Sequence, residues 1–351
     1  MSQPRPNSTE LTHSGRRAAR LVVASLVAVS VAIAAPADAD PVAVKVAPVN
    51  IKIATIAPPA TPWASLVQRI KKTFKKDLGD AVKVRTYLGG ALGGEKDLVQ
   101  RCLSGGLGMI GVTTGALATV VPELNVLELP YLWTDEAQVD KALAGPLGEA
   151  LKKALEAKGF VLFAWSENGF RHFATKDRFV HKPDQLKGLR MRAQPSYVHT
   201  SMYRAFGAAA NPMPAPEVPG ALSSGVVDGY DNSLLYAYAT QWFGSIKYLT
   251  LSGHIYQPAA VVWCKRVYDK LPIPVRDQAM SHSAKMEAAG RAMVRAGNRA
   301  ALQKHKDAGV QVEDQKNRGQ FKALALPVWA EFASKTPGGK NLLDQAKTAA
   351  R

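Results

Sequence analysis

Arg192 and Asn232 stand where their side chains can hold an organic carboxylate. In the run Leu189–Ala193, LRMRA, apolar and basic residues alternate. That is the period-two pattern of a half-buried strand, with Leu189, Met191 and Ala193 toward a core and Arg190 and Arg192 facing away. Pro195 ends it. Asn232 falls just beyond a second short strand expected over Val226–Asp228. A guanidinium offers a fixed fork of donors and an amide offers both a donor and an acceptor, so the two together can grip a carboxylate without making or breaking a bond. The competing reading of Arg192 is a solvated arginine at a strand end.

The surrounding pattern supplies elements that would position these residues. A helix is predicted over Tyr197–Phe206, stopped by Gly207, followed by an extended run near Asn211 and a second short helix ending at Gly225. Strands alternating with helices predict an α/β fold with a parallel sheet, in which ligands sit outside the carboxyl ends of the strands. Upstream, Ile51–Ile56 and Val82–Leu88 alternate as strands, and Trp63 opens a helix with Leu66, Val67 and Ile70 at helical spacing. The glycines from Gly89 to Gly94 lack the lysine and Ser/Thr of a phosphate loop and read as a tight turn. Glu95 most simply complements the dipole of the following helix, with a ligand contact as the alternative reading. Met109–Val112 continues this half, and one charged helix is expected over Glu136–Lys158. Phe160–Trp165 is a continuous apolar run fit for a buried strand or a cross-over between lobes. Tyr256–Trp263 reads as the returning strand. Val275–Lys306, Phe321–Phe332 and Asn341–Ala350 read as helices.

Six ordered runs carry a family resemblance: YLGGALGGEKDLVQ (Tyr87–Gln100), LELPYLW (Leu127–Trp133), NGFRHF (Asn168–Phe173), LKGLRMRAQ (Leu186–Gln194), ALSSGVVDGYDNS (Ala221–Ser233) and LSGHIYQPAAVVW (Leu251–Trp263). Together they resemble the solute-binding proteins of tripartite ATP-independent periplasmic (TRAP) transporters, the dicarboxylate-binding or DctP family, over roughly Ile51–Leu271. The resemblance implies a two-lobed α/β binding protein with a hinge between lobes. It divides the chain into a first lobe over 40–165, a second over 166–254, and a return over 255–351 with bracing helices. It implies that Arg171 and Arg192 face the ligand, that Asn232 lies near the same carboxylate, and that the loop before Trp63 and its ring face the cleft. Trp63 can equally cap its helix against the core. It further implies a small organic acid as ligand, membrane permease subunits as partners, and no cofactor.

The chain departs from the family in two places. Asp231-Asn232-Ser233 stands where Glu-Asn-Pro is usual, and Pro219 stands where an aromatic is common. Tyr230, Tyr236, Tyr238, Trp242 and Phe243 crowd the next segment. They can wall a larger, more apolar pocket, with Tyr230 facing the ligand, or at helical spacing serve as core.

Bulk properties narrow the function classes. Arg16, Arg17 and Arg20, the apolar run Leu21–Ala35 and Ala37-Asp38-Ala39 read as an export signal removed after Ala39, which places the product in the periplasm. Formal net charge is +17 for the whole chain and +15 without residues 1–39. The basic residues are scattered along helices and not interleaved with aromatics, which fits a solvated surface that can steer anions better than a nucleic-acid platform. Cys102 and Cys264 are the only cysteines. Export permits a disulfide between them, but two buried unpaired thiols are the simpler expectation. No Gly-x-Ser-x-Gly elbow, His-Glu-x-x-His run or carboxylate couple points to catalysis. The expectation is a binding protein for a small organic acid; the alternatives are a binder of a larger, partly apolar acid and an exported ligand sensor or scaffold.

Overall fold

Two strands far longer than the rest organise the molecule. The computed structural model describes residues 48–351, so the expected export signal lies outside the described residues. Nine strands form one continuous sheet: β1 (Val49–Thr55), β2 (Val82–Tyr87), β3 (Met109–Thr113), β4 (Phe160–Thr175), β5 (Arg190–Ala193), β6 (Ala209–Pro212), β7 (Gly229–Asn232), β8 (Tyr248–Cys264) and β9 (Gln311–Asp314). Their order is β2-β1-β3-β8-β4-β7-β5-β6, with β9 beside the amino-terminal part of β8. The 16 residues of β4 and 17 of β8 pair antiparallel along almost their whole length. Strand β3 takes the far end of β8, while β7 takes the far end of β4.

That arrangement has a geometric consequence. Strand β3 is antiparallel to β8, which is antiparallel to β4, which is antiparallel to β7. The parallel trio β2-β1-β3 and the parallel trio β7-β5-β6 therefore run in opposite senses and aim their carboxyl ends at each other across the middle of β4 and β8. The two-lobed α/β expectation holds in this form: two wings sharing one sheet through a pair of through-going strands. The apolar run Phe160–Trp165 is the first part of such a strand. Its continuation changes register at Leu162/Ala164, Glu167/Gly169 and Arg171/Phe173, irregularities that bend and twist a ladder and re-aim its side chains. Gly169 takes φ +96°, and a Cβ there would lie 2.6 Å from the Asn298 amide nitrogen, so the crossing needs glycine.

Each wing buries its own apolar cluster, one around Ile51, Phe74, Phe163 and Trp263, another around Tyr230, Trp242, Leu222 and Leu249. The long helix Ser283–Asp307 lies along β4. From it, Arg295 holds Asp140 at 2.8 Å and Glu167 at 2.9 Å, and the Tyr256 hydroxyl also donates to Glu167.

Four expectations need correction. The charged stretch is two helices, Glu136–Ala144 and Pro146–Ala157, because Pro146 lacks the N–H to continue the first and suits the first position of the second. The helical region expected over Val275–Lys306 likewise divides into Ile273–Met280 and Ser283–Asp307. The strand expected over Val226–Asp228 begins at Gly229, since the Val227 N–H still donates back to Ala221 and closes the preceding helix. Cys102 and Cys264 are bonded, with Cα atoms 5.1 Å apart. The helix Glu95–Leu103 leads directly into β3, and Met109 of β3 registers with Trp263, which brings the helix end over the end of β8.

Candidate functional site

A cavity of about 400 Å³ opens where the facing strand ends meet. Thr55, Thr113 and Gln194 line it from the ends of β1, β3 and β5, and Pro212 and Asn232 from the ends of β6 and β7. Asn168, Arg171, Gln257 and Ala259 line it from the middle of β4 and β8. Two glycines make room. A Cβ on Gly111 would come within 2.8 Å of the Trp63 ring, and one on Gly115 within 2.9 Å of Glu128.

The two arginines are buried but differ in what balances them. Arg171 Nε donates to Asp231 at 2.5 Å, Nη1 donates to Gln257 at 2.7 Å and to Asn232 at 3.3 Å, and Nη2 donates to the Asp231 carbonyl. Its charge is committed. Burial alone would raise the Asp231 carboxyl, but Arg171 and His254 hold it well below its ordinary value. Tyr203 donates to the same carboxylate at 2.8 Å.

Arg192 has no such partner. Its Nε and Nη2 donate to the Met213 carbonyl at 3.2 and 2.9 Å, and its plane lies 5.3 Å from the Trp242 ring centre. Among the described residues Nη1 makes no hydrogen bond, and no carboxylate lies within 4.0 Å of the guanidinium. Burial, reinforced by the Arg171 charge, pushes its pKa down to about 10. A cation 3% exposed, lining a cavity with no carboxylate within 4.0 Å, has the chemistry to accept an anion there.

A connected set of neutral groups completes the wall. Asn168 donates to Asn232 at 3.0 Å and to Gln257 at 2.9 Å; Gln257 donates to Gln194 at 2.6 Å; Gln194 donates to the Thr113 hydroxyl at 2.8 Å. Thr113 donates from its backbone and its hydroxyl to Glu95, both at 2.7 Å. Burial raises the Glu95 carboxyl, and these Thr113 bonds oppose the rise. Beneath the wall, Glu128 accepts from Thr114 at 2.6 Å and from His199 at 2.7 Å. Burial would lift the Glu128 carboxyl, but His199 holds it below its ordinary value. Among the described residues no cluster of three or more His, Cys, Asp or Glu is arranged to hold a metal.

Of the residues singled out in the sequence, Arg171, Arg192, Asn232 and Trp63 line the cavity. Trp63 serves both readings, since its indole N–H donates to the Glu167 carbonyl at 2.8 Å while its ring borders the cavity. Tyr230 is not part of the lining. It sits two residues upstream of Asn232 and packs edge-on against Trp242 in the core. Tyr236, from the next helix, borders the cavity. Sequence reasoning missed Thr113, Gln194, Gln257 and Asn168, and ranked a ligand contact for Glu95, which lines the cavity, below a helix-dipole role. Thr113 and Gln194 were accessible to the rule about strand carboxyl ends, and Gln257 is a lone amide inside an apolar strand, where an unpartnered polar group is costly.

The family model described as bacterial extracellular solute-binding protein, family 7, matches residues 53–336. A solute-binding protein of Verminephrobacter eiseniae is 34% identical, covering 81% of this chain and 84% of the relative. The 2,3-diketo-L-gulonate-binding periplasmic protein of Escherichia coli is 31% identical over 75% of this chain and 80% of its own. Among solved structures, the sugar acid binding protein from Advenella mimigardefordensis in complex with galactonate superposes with a TM-score of 0.82 at 29% identity, covering 86% of this chain and 99% of that one.

Proposed function

Because this chain belongs to bacterial extracellular solute-binding protein family 7, the DctP family, we propose that it captures a small organic acid in the cavity between its wings and delivers it to the membrane permease of a TRAP-type transporter. The observation that carries the reading is Arg192, a buried guanidinium lining the cavity with no carboxylate beside it. An acid bound there gains charge-assisted hydrogen bonds in a site from which water is largely excluded. Asn232 and Asn168 flank it with neutral amides, and Trp63 gives one apolar wall.

A volume of about 400 Å³ lies in the lower part of the usual small-molecule range. Four amides and three hydroxyls, set in an otherwise largely apolar lining, offer partners to a hydroxylated acid, and the relatives named for 2,3-diketo-L-gulonate and galactonate support the same class. Export through the segment 1–39, cleaved after Ala39, would put the protein in the periplasm, the compartment named for the Escherichia coli relative. Binding occurs without turnover, and closing of the wings over the ligand commits it for transfer.

Isothermal titration of the purified protein against a panel of sugar acids tests this. At least one acid should bind with micromolar or tighter affinity, and Arg192→Ala should weaken it about 100-fold or more. Absence of binding across the panel, or an unchanged affinity in the variant, overturns the proposal.

A further inference from the structure

The cavity lining holds one buried cation without a salt bridge, Arg192, and two carboxylates, Glu95 and the exposed Asp97; Arg192 and Glu95 come from opposite wings. Arg192 belongs to β5; Glu95 opens the helix Glu95–Leu103 that leads into β3. Arg171 cannot serve as a second anion receptor without giving up Asp231. Lys96 also borders the cavity, but it is exposed and sits beside Asp97, whose carboxylate caps the Gly94 N–H at 2.8 Å. A second negative group on a ligand anchored at Arg192 therefore meets Glu95 and finds no buried cation. Hydroxyl groups meet the opposite situation. The Glu95 oxygens each accept one bond from Thr113 and keep lone pairs for further donors.

We infer that Glu95 sets the charge class of the ligand: the cleft selects acids with a single carboxylate and a hydroxylated tail, and rejects the corresponding dicarboxylates. The inference rests on the proposal that Arg192 holds the ligand's carboxylate, and adds an element of rejection opposite it. Like charges facing each other across one cavity repel strongly enough to separate two otherwise matched acids by about 100-fold.

Matched pairs that differ only in a terminal hydroxymethyl or carboxylate isolate the effect: gluconate with glucarate, galactonate with galactarate, erythronate with meso-tartrate. Titrated into the wild-type protein, the best-bound monoacid should exceed its diacid partner by about 100-fold. Glu95→Gln, which can still accept from the Thr113 N–H, should narrow that ratio by about tenfold or more by strengthening the diacid and weakening the monoacid. A diacid that binds the wild type as tightly as its monoacid overturns the inference with no variant needed. A ratio unchanged in Glu95→Gln overturns the role of Glu95 while leaving the carboxylate-binding reading intact. Failure of all six acids to bind the wild type overturns both.

Discussion

The two cavity guanidiniums share a side chain and a burial but oppose each other in their effect on folding. Arg171 neutralises Asp231 at 2.5 Å, and both are nearly or fully inaccessible to solvent. Arg171→Met leaves that carboxylate buried beside His254 with its main counter-charge gone, a loss of about 3–5 kcal/mol. Arg192 is the reverse case. Its folded pKa, about 10, lies below that of an unfolded arginine, so the unfolded chain holds the proton more firmly. At every pH below about 10 the charge therefore lowers stability of the empty protein. Arg192→Met should leave the melting temperature unchanged or a few degrees higher while abolishing the stabilisation by ligand, whereas Arg171→Met should melt much earlier. Equal destabilisation by both variants in urea titrations would refute the assignment. The sequence marked both arginines through the family runs around them, but not which one was committed. That difference lies in Asp231, which stands where the family usually has glutamate and whose contact with Arg171 depends on β4 and β7 being adjacent, a long-range pairing no local pattern encodes.

The elements were legible to the extent that local periodicity controls them. Strands β1, β2 and β5 and the helix Tyr197–Ala205 lie within a residue or two of their expected bounds, because alternation, caps and stopping glycines are written in neighbouring residues. What escaped was the reach of β4 and β8. Polar and charged residues such as Glu167, Asn168, Arg171 and His172 interrupt the apolar pattern of β4, and they are tolerated because each finds a partner in the cavity wall or across the sheet. The disulfide escaped for the same reason, its two halves being 162 residues apart in sequence. It ties the end of the Glu95 helix to the end of β8, so it fastens one wall of the cavity to a through-going strand. Closing so long a loop constrains the unfolded chain by about 2–5 kcal/mol, or roughly 5–15 °C of melting temperature. The Cys102→Ala, Cys264→Ala double variant should lose that stability and become insensitive to dithiothreitol, while the wild type should fall to the same melting temperature on reduction. A wild-type melt unaffected by dithiothreitol under denaturing reduction would contradict the bond.

Across the whole molecule, the two wings come into contact at the edge of the cavity. Gly94, at the start of the Glu95 helix, faces Pro214, which follows β6: a Cβ on Gly94 would lie 3.2 Å from the Pro214 Cβ. Nearby, a Cβ on Gly90 would lie 3.6 Å from Pro216. The Gly94 backbone is in an ordinary extended conformation, φ −73° and ψ 175°, so a side chain there costs no backbone strain. Its absence matters only when the wings are together. Gly94→Val should therefore act on closure far more than on folding. The empty variant should lose no more than about 1 kcal/mol through the poorer helix cap. Its two added methyl groups, however, have no room against Pro214 while the wings touch, the arrangement in which Arg192, Gln194 and Thr113 line one cavity. Affinity for the bound acid should fall about tenfold or more, because the ligand must now work against a destabilised closed state. Small-angle scattering separates this from simple damage to the site: the wild type should contract on adding ligand, and Gly94→Val should contract less at saturation. If the variant binds and contracts as the wild type does, the contact at Gly94 is incidental, and the two wings do not close on the ligand along this edge.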